Sequence, residues 1–362
     1  MKKYTMPKCC DFPFIGGAVG YLGYDMCHHV EILPKTTSDD LPVPDCFFGI
    51  YDGVIIINHL NNTVYVASPG LLVDAVPWAN EVESIIHAGA VNRSVYPEST
   101  LQMLKMESTC PRLSMTAGSS KANYLLAVQQ IKDHIESGDV YQVNLTRRFT
   151  APFKLPPFET YLRLRHMNPA PFAAYLDYGS GYILSSSPER FVQIRNGRIQ
   201  TRPIKGTRPR GKTHEEDLSN RLELINSEKD RSELLMIVDL ERNDLGRICK
   251  PGSIHVKELF ELEEYATVYH MVATVEGVLE TDVDAVDCLK AVFPGGSITG
   301  APKIRAMEII DELEPDRRGI YTGAIGYIGF DGQADFNIAI RTIIIQQGQA
   351  FFFSRRRHCL GF

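Results

Sequence analysis

Phe191-Val192-Gln193-Ile194-Arg195-Asn196-Gly197-Arg198-Ile199-Gln200-Thr201-Arg202-Pro203 decides the fold. Phe191–Ile194 is a strand, Asn196-Gly197 a two-residue turn, and Arg198–Pro203 the returning strand. A hairpin is antiparallel by construction. Just upstream, Ala174–Tyr178 turns at Gly179-Ser180-Gly181 into Tyr182–Ser185, a second hairpin. Downstream of Gly211 come two helices. Thr213 and Glu216 form a capping box for the first. Ser227 caps the second, which carries Leu234-Leu235-Met236-Ile237-Val238. A further helix ends near Phe293-Pro294, and another starts at Pro302. Three strands close the chain, with Asp331-Gly332 as one hairpin turn. Strands alternate with helix pairs without a regular βαβ rhythm, so the expected class is α+β with mostly antiparallel sheet. No P-loop or GxGxxG stands between a strand and a helix, which argues against a doubly wound nucleotide fold.

Toward the N-terminus, residues 14–80 are β-rich. Val54-Ile55-Ile56-Ile57 predicts a buried strand, Asn61-Asn62 a turn, and Thr63-Val64-Tyr65-Val66 its partner. Residues 88–118 lose periodicity and are rich in Ser, Thr and Pro, as in a linker. Tyr124, Val128, Ile131 and Ile135 then share one helix face, and Gly138 ends that helix. From Tyr141 to Arg147 the chain alternates, so Gln142, Asn144 and Thr146 line a polar face that meets either solvent or a polar cleft.

The 362 residues are 44% hydrophobic and 23% charged, with a formal net charge of −6, as in an ordinary soluble, folded protein. No basic stripe runs through the body of the chain, so nucleic acid is not an expected partner. No apolar run is long enough to span a membrane. Pro7, Asp11 and Pro13 interrupt what would be the apolar stretch of a signal peptide after Met1-Lys2-Lys3. Eight cysteines without a CxxC pair predict reduced thiols in a cytoplasmic protein. Cys27-His28-His29 lacks a partner cluster and is not expected to hold a metal.

Four features carry chemistry. Lys205 leaves a strand in Pro203-Ile204-Lys205-Gly206-Thr207-Arg208-Pro209-Arg210-Gly211. Neighbouring cations favour a neutral amine, which is a nucleophile; the alternative is a basic surface turn. Glu189, in Ser186-Ser187-Pro188-Glu189-Arg190, is either an acid that passes protons to that amine or a strand-end surface carboxylate. Asp230 and Glu233 share a helix face at the edge of an apolar run. Few oxygen ligands suit Mg2+, whereas an ion pair with Lys229 or Arg231 would also satisfy them. Finally, Pro294-Gly295-Gly296-Ser297-Ile298-Thr299-Gly300-Ala301-Pro302-Lys303-Ile304-Arg305 runs a glycine turn into a helix N-terminus, either an anion site or a plain connection. His270, on a strand, is a core residue unless something else marks it.

These residues resemble the chorismate-utilising enzymes. Pro188-Glu189-Arg190-Phe191, Pro203-Ile204-Lys205-Gly206-Thr207, Asp239-Leu240-Glu241-Arg242-Asn243-Asp244-Leu245-Gly246-Arg247, Gly300-Ala301-Pro302-Lys303 and Ile338-Ala339-Ile340-Arg341-Thr342 occur in the family's order, over roughly residues 12–353. Within the family the chain is similar to aminodeoxychorismate synthase component I. Relatives that add water carry a lysine base where Gln142 stands, and anthranilate synthases usually have alanine where Lys205 stands. The resemblance implies an anthranilate synthase component I-like fold: mostly antiparallel sheets in a β-sandwich-like core covered by helices. It implies amination of chorismate at C4 for p-aminobenzoate and folate synthesis. Ammonia would come from a glutamine amidotransferase subunit, and a downstream aminodeoxychorismate lyase would take the product. Anthranilate synthesis and a non-catalytic binding protein remain the alternatives.

Carried over by residue, the resemblance makes Lys205 the nucleophile at C2, Glu189 the acid/base, and His270 a neighbour of the departing hydroxyl. Thr299, Gly300, Tyr327 and Arg341 would bind substrate. Glu233 would hold Mg2+, with Asp230 beside it. The expected organisation is a β-rich N-terminal region over 1–115, a chorismate-binding region over 116–353, and an unmatched tail over 354–362. Relatives carry more chain before Gly16 and an acidic helix after the last strand, so the expectation is a chain cut short at both ends, folded at best partly and nearly inactive.

Overall fold

The computed structural model describes residues 4–8, 10–91 and 114–359. The strands, in chain order, begin with β1 (Gly17–Leu22), β2 (Cys46–Tyr51), β3 (Val54–Asn58), β4 (Thr63–Ala67) and β5 (Thr116–Ala117). Then come β6 (Gln142–Pro152), β7 (Phe172–Asp177), β8 (Gly181–Ser187), β9 (Arg190–Arg195), β10 (Arg198–Arg202) and β11 (Ile204–Pro209). The remainder are β12 (His255–Glu264), β13 (Val268–Val278), β14 (Gly300–Ala301), β15 (Ala324–Gly329), β16 (Ala334–Ile338), β17 (Thr342–Gln346) and β18 (Gln349–Cys359). The α-helices are α1 (Ala75–Val91), α2 (Lys121–Glu136), α3 (Pro157–Met167), α4 (His214–Ile225), α5 (Glu228–Leu245), α6 (Ala285–Val292) and α7 (Lys303–Leu313).

Two large antiparallel sheets form, as the class reading expects. One has nine strands in the order β11-β13-β10-β9-β16-β15-β1-β2, with β12 added on β13. The other has seven in the order β14-β6-β18-β17-β8-β7, with β5 on β6. Tyr21 and Ile325 of the first sheet share a buried cluster with Ile183 and Ile344 of the second, so the sheets pack on each other. A larger cluster joins the first sheet to the helices through Val192, Ile199, Ala273, Leu234, Val238 and Leu289. Burying apolar area of this extent is the main favourable term in folding.

Two short crossings carry the chain directly from one large sheet to the other, from β8 to β9 through Pro188-Glu189 and from β16 to β17 through Ala339–Arg341. The two crossings lie side by side. Ile338 donates its N–H to Glu189 O at 3.0 Å, and Ser186 donates to Arg341 O at 3.1 Å.

Local sequence set many elements. Thr213 Oγ1 accepts from Glu216 N, and Ser227 Oγ accepts from Asp230 N. Both satisfy a helix-end amide that has no intrahelical partner. Three expectations change. Val54–Ile57 is a strand but not a buried one, because β3 pairs only with β4 and Ile55 and Ile57 face outward. Helix α1 enters the stretch expected as strand and linker; its Val76 and Ile85 are exposed, so it lacks the apolar stripe that reveals a helix in sequence. The expected linker otherwise falls mostly on residues outside the described set. The tail expected from residue 354 begins inside β18, whose backbone runs along β6 from Pro152 to Gln142. Among the described residues, no helix is long and apolar enough to cross a membrane.

Candidate active site

The site collects where the two crossings meet the loop between α6 and α7. Lys205 lies in β11, wholly buried, and its Nζ donates to Ser297 O at 2.8 Å. Gly206 makes this possible: its φ of +78° opens a bulge, so Lys205 opposes Met271 while Thr207 opposes the next residue, His270. A side chain at 206 would also meet Leu224 Cδ1 at 2.7 Å. The basic-surface-turn alternative for Lys205 therefore fails; it is an interior amine. Thr207 Oγ1 and His270 Nδ1 share a hydrogen bond of 2.9 Å.

Glu189, 2% exposed, occupies the first crossing. Its Oε1 accepts from Ile204 N at 3.4 Å, which ties it to the strand that bears Lys205. Its charge is felt by both His270 and Glu241. Burial, with the Arg341 guanidinium as second cause, pushes the His270 imidazole down to about 4, so the ring is neutral near pH 7. Arg341 stands exposed at the second crossing with φ +51°, and its Nη1 donates to Asn168 Oδ1 at 3.3 Å. Its charge bears on His270.

The 292–299 loop is the site's floor. It has little regular backbone pairing, yet Phe293 to Thr299 is buried, so its polar groups need other partners. Side chains from separate elements provide them. Lys303 Nζ donates to Val292 O at 2.9 Å and Pro294 O at 3.1 Å. The Glu241 carboxyl lies against Gly296 and feels its N–H. Arg318 Nη1 donates to Ile298 O at 3.3 Å, and Asn144 Nδ2 to Thr299 O at 3.1 Å. The hydroxyl of Thr299 is turned back on Gly295 O at 3.1 Å. Gly300, at φ +154°, lets β14 lie against β6, where a Cβ would meet Gln142 O at 2.1 Å.

Four polar side chains around this floor retain buried atoms without a partner among the described residues: both amide atoms of Gln142, Asn144 Oδ1, Glu241 Oε2 and His270 Nε2. Each such atom costs about 1–3 kcal/mol if nothing pairs with it, so a group of them marks a place completed by a ligand. The polar face of residues 142–146 is buried and not a solvent face.

Of the expected site residues, Lys205, Glu189, His270, Thr299, Gly300 and Arg341 come together. Tyr327 does not join them. It faces Phe14, with ring centroids 4.9 Å apart, and its charged neighbours are Asp335, Arg190, Asp331 and Arg195. Strand alternation turned it to that side. Glu233 is half-buried on α5, two turns before Glu241. Arg208 Nη2 donates to Asp230 Oδ2 at 3.2 Å, so the ion pair of this carboxylate comes from β11 and not from Lys229 or Arg231. Among the described residues no group of three or more His, Cys, Asp or Glu gathers as a metal cage. One carboxylate at Glu233 fits a cation that keeps most of its waters. Asn144, Glu241 and Arg318 were missed. The alternation of residues 142–146 marked Asn144, Glu241 stood unremarked within the Asp239–Arg247 motif, and nothing local marked Arg318.

A family profile described as chorismate binding enzyme matches residues 2–354. Aminodeoxychorismate synthase component 1 of Bacillus subtilis (strain 168) is 42% identical over 345 residues, covering 94% of this chain and 72% of that protein. Anthranilate synthase component 1 of Acetivibrio thermocellus is 40% identical over 342 residues, covering 93% and 69%. The solved anthranilate synthase component I from Streptococcus pneumoniae TIGR4 has a TM-score of 0.86 and 32% sequence identity, covering 100% of this chain and 80% of that one. The profile spans both crossings, the β11 lysine and the loop beneath it, and the chain belongs to the family of chorismate-binding enzymes.

Proposed function

We propose that the chain aminates chorismate at C4 to give 4-amino-4-deoxychorismate, in the direction of p-aminobenzoate. The observation that carries this is the interior amine of Lys205, held by Ser297 O beside a buried carboxyl and a neutral imidazole. The Lys205 amine attacks C2 of the ring, the double bonds shift, and the C4 hydroxyl leaves as water with a proton from Glu189. Ammonia then adds at C4, the double bonds shift back, and the C2–nitrogen bond to Lys205 breaks. The sum is chorismate plus ammonia giving aminodeoxychorismate plus water. A buried lysine suits this step because an amine in a low-dielectric interior gives up its proton readily.

Arg341 would pair with a substrate carboxylate at the mouth, and Thr299-Gly300 would hold the ring against β6. His270 Nε2 would meet the departing hydroxyl, which would satisfy its unpartnered nitrogen. Glu233 would hold Mg2+, which when bound neutralises the ring carboxylate. The ammonia would come from a glutamine amidotransferase partner, in keeping with the "component 1" in the relatives' names.

The likeness to anthranilate synthases favours a second reading, amination at C2 with loss of the side chain. One experiment separates them. Chorismate, Mg2+ and ammonium are incubated with the protein and the products identified by mass and fluorescence. Aminodeoxychorismate should form, with little isochorismate because the neutral amide of Gln142 cannot activate water. Lys205→Ala should abolish turnover at low ammonia, and trapping should find the chorismate adduct on Lys205. Anthranilate as main product, or unchanged turnover in Lys205→Ala, refutes the proposal.

A further inference from the structure

We infer that Glu241 is a positioning residue for Lys205, acting through the Gly296-Ser297 backbone. The inference rests on the reading of Lys205 as the nucleophile. Glu241 sits on the inner face of α5 and is 4% exposed. Its carboxyl lies against Gly296 and feels that N–H, and the next residue, Ser297, offers the carbonyl that holds Lys205 Nζ. Side chain, peptide unit and amine thus form one chain of contacts.

The charged groups facing Glu241 are Asp244 from its own helix, Lys303 from α7 and Glu189 from the first crossing. Lys303 would be the natural counter-ion, but its three donors are spent on Asp244 Oδ2, Val292 O and Pro294 O. Oε2 of Glu241 is left buried and without a partner among the described residues. Burial first, then the Asp244 charge, pushes the carboxyl up to about 8, so it carries its proton at neutral pH. A neutral acid can still accept the Gly296 N–H without placing a negative charge beneath the amine, where it would stabilise the unreactive ammonium. Ionisation above that range would do so, and turnover should fall.

The test uses the full chain with chorismate, Mg2+ and ammonium, and two variants. Glu241→Leu removes the acceptor; Glu241→Gln keeps it and cannot ionise. Hydrogen exchange of the peptide spanning 293–300 reads the clamp, and kcat across about pH 6–9.5 reads its effect. In Glu241→Leu, exchange should quicken and kcat fall by about tenfold to a hundredfold with KM for chorismate little changed. In Glu241→Gln, exchange should stay slow, kcat near pH 7 should stay within about twofold, and the alkaline fall should vanish. Unchanged exchange in the Leu variant, quicker exchange with unchanged kcat, or an alkaline fall that persists in the Gln variant overturns the inference. If Glu241→Leu does not fold, the Gln profile alone decides. An active Lys205→Ala protein would instead sink the lysine reading while leaving the exchange result standing, so the two failures are distinguishable.

Discussion

Lys303→Met should cost about 3–5 kcal/mol of stability and should disable the site in the molecules that still fold. The magnitude follows from the environment. Lys303 is 9% exposed, and its ammonium donates to Asp244 Oδ2 at 2.6 Å and to two loop carbonyls. Burial outweighs even this attraction and holds the Asp244 carboxyl above its ordinary range. Methionine fills the volume but leaves a buried carboxylate and two carbonyls unmatched, and removing one partner of a buried pair costs far more than the pair itself contributes. Against a total stability of about 5–15 kcal/mol, the loss is large but survivable. The Lys303→Met, Asp244→Leu double variant should recover much of it, because an apolar pair of similar size carries no desolvation cost. Its kcat should stay low, since Val292 O and Pro294 O remain untied and the loop that seats Lys205 is loose. Urea titration gives the stabilities and ammonia-dependent turnover gives kcat. A loss below about 1 kcal/mol in Lys303→Met would mean that water or a shifted side chain satisfies Asp244, and the reasoning would be wrong.

Glu233→Gln should raise the Mg2+ concentration needed for half-maximal turnover at least about tenfold, with the fold intact by circular dichroism; an unchanged Mg2+ titration removes Glu233 from the metal site. The pH dependence of stability should carry the mark of His270. Its folded value near 4 lies below the ordinary 6.5, so the stability it contributes is present above 6.5 and is lost as pH falls through about 4. His270→Gln should flatten that acid limb of the urea midpoint, and a limb of unchanged slope would assign it to other groups.

Elements governed by neighbours in sequence were legible. The Asn196-Gly197 hairpin and the Thr213 and Ser227 caps depend on contacts within four residues, and each formed as expected. Lys205 and Glu189 were marked as candidates beside surface alternatives, which their burial removes. What depended on distant packing was not. Asn144 meets Thr299 across 155 positions, and Arg318 meets Asn144 O across 174. Glu241 was in view within Asp239–Arg247, but its role appears only when a loop some fifty residues later covers it. Tyr327 failed for the opposite reason: a plausible residue type on a plausible strand was placed by period-2 alternation on the side facing Phe14. Val54–Ile57 shows that an apolar run reports a strand without reporting what covers it.

The loop beneath Lys205 explains why the site draws on so much of the chain. A buried backbone segment outside a helix or sheet must find a partner for each polar group, and side chains are the available ones. Here they come from β6, β11, α5, α7 and the α7–β15 connection, each fixing a different atom between Val292 and Thr299. Such a loop cannot shift one carbonyl without straining the rest, so Ser297 O stands in one place relative to Glu189 and His270. Arg318 shows how firmly: it is 1% exposed, bonded to both Glu314 oxygens, and also donates to Asn144 O at 2.7 Å. It therefore ties the loop and the Gln142–Asn144 edge of the cleft to one another. The charges that enforce this are costly to bury, and an apolar floor would be more stable. Their presence is understandable if what they provide is the fixed position of a reacting amine, since misplacement by about 1 Å costs about a hundredfold in rate.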